Sequence, residues 1–108
     1  MAIDEKLAAR VRHALAGKNA IEKKMMGGLC FMVGGHMCVG VDKDRLMVRV
    51  GADAHERALK LKHATPMDIT GKPLRGFVLV RPEGVAAQRA VDVWVKRGLD
   101  FVASLPKR

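Results

Sequence analysis

The chain has no tyrosine, one tryptophan and three phenylalanines. That leaves little from which to build the aromatic platform on which single-stranded nucleic acid stacks its bases. Two cysteines are too few for the disulfide framework of a small secreted domain. No apolar run approaches the roughly 20 residues that a membrane-spanning helix needs, and no basic leader precedes an apolar stretch and a small-residue cleavage site. The expectation is a soluble, cytoplasmic protein without a membrane partner. Signatures of catalysis are missing as well. There is no G-x-S-x-G, no P-loop and no paired-carboxylate pattern, and Gly27-Gly28 precedes a strand, whereas a dinucleotide-binding turn follows one and opens a helix. Neither enzymatic activity nor a cofactor is expected.

What is present is positive charge and enough apolar content for one core. At 108 residues and 49% hydrophobic, the chain is the size of one domain, taken here as residues 1–108. The net charge of +9 favours polyanions, but the excess is spread over both halves of the sequence. Only 23–24 and 55–63 are locally dense. A nucleic-acid-binding reading would therefore rest on Lys23, Lys24, Arg57, Lys60 and Lys62; the simpler reading is a solubilising surface.

The most informative stretch is 25–50. Residues 28–33 and 36–41 are strand-compatible and flank Gly34-Gly35, a pair able to supply the positive φ angles of a tight hairpin turn. Asp42-Lys43-Asp44 turns the chain again. Over 45–50, Leu46, Val48 and Val50 alternate with Arg45, Met47 and Arg49, the period of a half-buried strand. A simple hairpin register sets Cys30 against Val39 and Cys38 against Phe31, so the thiols project from opposite faces and do not pair. In that register Cys30, Met32, Met37, Val39 and Val41 share one face, and Leu29, Phe31, Val33 and Cys38 the other. Both faces are then apolar, one helical layer cannot cover them, and a homodimer or a bound protein partner is expected.

Around this meander lie three helices. Asp4 is a candidate N-cap for a helix with Leu7, Val11 and Leu15 on one face and Gly17 as its stop. A short strand is expected around 22–25. Asp53 and Glu56 form a capping-box pattern for a helix over 53–62. Pro66 falls outside it, followed by a brief strand in M-D-I-T, a turn at Gly71 and a strand over 75–81. The last helix is expected over 85–105, with Val91, Trp94, Val95, Val102 and Leu105 inward.

Among chemically capable residues, His36 and Cys38 stand two apart on one strand, but a structural zinc site needs about four ligands and no second Cys/His pair is near. No metal site is expected. His13, His55 and His63 are scattered without a neighbouring nucleophile. Gly27 and Gly28 are read as serving backbone geometry, with positive φ at the strand entry.

The run K-K-M-M-G-G-L-C-F-M-V-G-G-H-M-C-V-G-V-D-K-D-R-L-M-V-R-V resembles the N-terminal domain of TfoX (Sxy), the bacterial regulator of competence genes. M-D-I-T-G-K-P-L-R-G-F-V-L-V-R-P-E-G is similar to that family's second strand pair, and V-D-V-W-V-K-R-G-L-D-F-V-A-S-L-P to its closing helix. The resemblance implies an α+β fold, a two-layer antiparallel sheet with flanking helices in the order α-β(3–4)-α-β(2)-α, similar to secretion chaperones and often dimeric. Full-length regulators carry a second, helical domain, so the resemblance implies a stand-alone copy of the first. The implied function is a non-enzymatic regulatory or protein-interaction module in transcriptional control. Direct nucleic-acid binding through the basic residues is the alternative.

Overall fold

The computed structural model describes residues 3–25, 27–68, 71 and 74–106. Helix α1 (Glu5–Ala14) begins where the sequence places it: the Asp4 carboxylate accepts from the amides of Lys6 and Leu7 at 2.9 and 3.2 Å, satisfying donors that a helix start leaves free. The Asp4 amide donates to the Lys43 carbonyl at 2.7 Å, which fastens the helix to the sheet. Leu7, Ala8 and Val11 are buried, and Gly17 takes a positive φ after the helix end.

Strands β1 (Ile21–Met25), β2 (Gly28–Val33), β3 (His36–Asp42) and β4 (Arg45–Arg49) form an antiparallel meander. Gly34 and Gly35 both have positive φ, as a tight β2–β3 turn requires. Of the Gly27-Gly28 pair only Gly27 is there for positive φ. Gly28 is needed for space, since a Cβ on it would lie 2.4 Å from the Val41 carbonyl oxygen. Helix α2 (His55–Leu59) leads to β5 (Ala64–Pro66), and β6 (Phe77–Val80) to a short 3-10 turn (Pro82–Gly84) and helix α3 (Gln88–Ala103). The six strands lie in the order β1-β2-β3-β4-β6-β5, every neighbouring pair antiparallel. The molecule is thus an α+β fold with an open sheet.

The helices share one face of the sheet. Their main core joins Leu7, Val11, Phe31, Leu46, Val48, Val78, Val91 and Val95, and burying each such side chain is worth about 1.5–3 kcal/mol. Leu46 and Val48 point into this core while Met47 points away, as the alternation predicts. The opposite face carries a smaller cluster of Cys30, Met47, Met67 and Leu79, flanked by Met37, Leu74 and Phe77. Met67 and Leu74, from the connection between β5 and β6, cover part of the face that the simple register left bare.

Several expectations need correction. The β2–β3 register shifts between Phe31 and Met32: Phe31 pairs with Val39 and Cys30 with Gly40, while Met32 pairs with Met37. Cys38 is the extra residue of a bulge. As bulges do, it bends the strand and breaks strict alternation, so Cys38, Val39 and Val41 all belong to the helix-covered core. The Asp53/Glu56 capping box does not form. Ala54 occupies the cap position without a side-chain hydrogen bond, because the amides of Val50 and Gly51 bond the Gly76 carbonyl and this junction sets a later helix entry. Glu56 faces Arg75 instead, at 3.8 Å. Helix α2 is also shorter than 53–62, since the chain reverses through a positive φ at His63 to reach β5. The brief strand therefore lies at 64–66, ahead of M-D-I-T, with Pro66 in it. An edge strand tolerates that proline because one side of its backbone needs no donor. Ile69 and Thr70, within M-D-I-T, lie outside the described residues. Helix α3 starts at Gln88, not 85, because Val85 is buried ahead of it with its amide bonded to the Pro82 carbonyl.

Candidate functional site

Strand β1, I-E-K-K-M, pairs residue for residue with β2, from Ile21↔Met32 to Met25↔Gly28. All five of its residues are exposed, and it forms the outer edge of the sheet. Across the register, Glu22 and Lys24 stand beside Phe31 and Leu29 on the helix side. Ile21, Lys23 and Met25 stand beside Met32, Cys30 and Gly28 on the open side. On the helix side Glu22 accepts twice from the Arg12 guanidinium, at 2.7 and 2.9 Å. These hydrogen bonds hold the Glu22 carboxyl below the usual carboxylate range and raise Arg12.

The open face is rich in methionine. Met25, Met32, Met37, Met47 and Met67 all lie on it, and they are all the methionines among the described residues. Ile21, Met32 and Met37 form one row across three strands. Ile21 is 62% exposed and Met25 40%, with Met32 and Met37 half-buried. Methionine is unbranched and polarizable, and such surfaces adapt to partners of different shape.

The basic residues singled out from the sequence do not converge. Lys23 and Lys24 lie on β1 at one edge and point to opposite faces. Arg57 lies on α2, with Lys60 and Lys62 just beyond it, and α2 packs on β5 and β6 at the other edge. With strands about 4.8 Å apart, five spacings separate the edges by about 24 Å. Arg57 borders a cleft of about 450 Å³ between α2 and α3, floored by Val50, Ala58, Leu61 and Phe101 and also bordered by Arg97. The Arg97 guanidinium stacks over Trp94, and Arg49 lies between the rings of Phe77 and Phe101.

Two of the histidines make structural hydrogen bonds and both cysteines are buried. The buried His55 ring accepts at Nδ1 from the Gly76 amide at 2.9 Å, a contact the sequence did not disclose. His36 bonds the Pro106 carbonyl through Nε2. Cys30 and Cys38 are free, buried and on opposite faces. Burial raises both thiols, Cys38 to about 12 although the charge of Arg49 pulls it down. No group of three or more His, Cys, Asp or Glu residues suited to a metal ion occurs among the described residues. Among them, too, no helix is long and apolar enough to cross a membrane.

Helices on one side of an open antiparallel sheet and a methionine-rich apolar surface on the other define a small α+β fold. The chain belongs to the TfoX N-terminal domain family, whose sequence model matches residues 5–102. No curated protein and no solved structure matches it.

Proposed function

We propose that this chain is a non-enzymatic regulatory domain that acts in transcriptional control by contacting another protein through the open face of its sheet. The methionine-rich row of Ile21, Met32 and Met37 carries this reading, and family membership supports it. A surface of this composition recognises apolar side chains without demanding one shape. The division of the basic residues between two sheet edges argues against one phosphate-tracking groove.

The test is transcript profiling in the host cell after deletion of the gene, with restoration by the wild type or by a Met32→Glu/Met37→Glu variant whose fold is checked by circular dichroism. Deletion is expected to change a defined set of transcripts, wild type to restore them and the folded variant to fail. Unchanged transcripts on deletion, or full restoration by the variant, would overturn the proposal. Sequence-dependent binding of a DNA duplex that persists at about 150 mM salt would establish the nucleic-acid reading instead.

A further inference from the structure

The two edges of the sheet are built differently. At one edge β5 is three residues long, contains Pro66 and is packed by α2, the usual means of closing an edge. At the other, β1 is longer, proline-free and exposed throughout. Its hairpin closes at Met25↔Gly28. In such a hairpin the closing pair is hydrogen-bonded, and bonding alternates along the ladder. The backbone groups of Ile21, Lys23 and Met25 are therefore directed to β2, and those of Glu22 and Lys24 outward.

From this edge we infer that β1 receives an extended acidic segment of a partner protein as a seventh, antiparallel strand. The inference rests on the protein-interaction reading above and specifies its partner. Backbone pairing would supply affinity and the alternating side chains selectivity. On the open face the incoming strand meets Ile21, Lys23 and Met25, a pattern complemented by apolar, acidic, apolar. On the helix face it meets Lys24 and Glu22. Lys23 and Lys24 have no ion-pair partner among the described residues, whereas Glu22 is held by Arg12. The unmatched charge at the edge is positive.

A second copy of the chain fits less well than an acidic strand. An antiparallel self-pairing that keeps the helices of both copies on one side must be centred on a residue. Centring on Glu22 or Lys24 sets that charged residue against itself, which is unfavourable. Centring on Lys23 opposes Lys23 to itself and Glu22 to Lys24, a pairing in which the Glu22 carboxylate is already held by Arg12. The net charge of +9 on each copy adds to the repulsion. An acidic strand meets both lysines left unpaired among the described residues without setting Lys23 against itself, and is the better match for this edge.

The probe is a fluorescein-labelled peptide with the core Val-Glu-Glu-Thr-Val, which places its valines opposite Met25 and Ile21 and its glutamates opposite Lys24 and Lys23. Fluorescence anisotropy should show saturable binding to the full chain that weakens about tenfold with Lys23→Glu. It should be lost when the peptide is N-methylated at the second glutamate's two neighbours, Glu and Thr, because their amides face the edge while every charge is retained. Equal binding of the methylated peptide, or binding indifferent to Lys23→Glu, would overturn strand addition. So would light scattering that shows a dimer dissolved by Lys24→Pro, a change that removes an outward-facing amide of β1; a second copy would then be the occupant. Loss of transcript restoration by Met32→Glu/Met37→Glu alongside a failed peptide test would sink this inference and leave the interaction reading standing.

Discussion

Glu22 is the acidic residue of an otherwise basic and apolar strand, and its carboxylate is occupied by Arg12 at 2.7 Å. Both side chains are more than a third exposed, so the pair is worth at most about 1 kcal/mol. Because folding lowers the Glu22 pKa, its contribution is present above the usual carboxylate range and fades as pH falls through the folded value. Urea unfolding of Glu22→Gln should show a small deficit against wild type at pH 7 that closes in acid, once the folded carboxyl is protonated. A deficit that persists in acid would mean the residue acts through packing. Single residues were unevenly legible. Asp4 could be read as a cap because its partners lie within three positions, whereas His55 and Gly76 are 21 apart in sequence, and no local pattern announces a bond across that distance. The lysines of the candidate edge were visible as residues, but nothing local said that Lys23 and Lys24 were remote from Arg57.

Helix α3 packs on β3, with Gly98 at a close approach. A Cβ on Gly98 would lie 3.0 Å from the Cys38 carbonyl oxygen and 3.1 Å from both the Cys38 sulfur and a Val39 methyl. The glycine therefore seats the helix on the bulge. Gly98→Val should destabilise the fold by about 1–3 kcal/mol in chemical denaturation, despite better helix propensity. An unchanged midpoint would show that the bulge can yield. This contact also explains where reading the strands failed. Gly34-Gly35 and the alternation of β4 are encoded in neighbouring residues and were legible. The bulge depends on how β3 meets β2 and a helix some 60 positions later. The same holds for β5, whose place follows from pairing with β6, and for α2, whose start follows from the Gly76 junction. That β1 forms an edge could not be read either, because strand order is a property of the whole sheet.

At the scale of the molecule the two cysteines report on two unequal layers. Cys38 is in the main core, and Cys30 lies in the smaller cluster with Met47, Met67 and Leu79. Burial keeps both thiols protonated near neutrality, and the thiolate is the reactive form. Alkylation at pH 8, followed by mass spectrometry, should therefore be slow in the native protein and modify Cys30 first, since a small cluster opens at lower free energy than the core. Modification of Cys38 ahead of Cys30 would reverse this order of stability. The unequal sheet edges have a further consequence for stoichiometry. A sheet able to grow at both ends propagates into a fibre, whereas this one is stopped by Pro66 and α2 on one side. The domain therefore has a valence of one for extended strands: it can terminate a ladder but cannot relay it, and its complexes by this route stay finite.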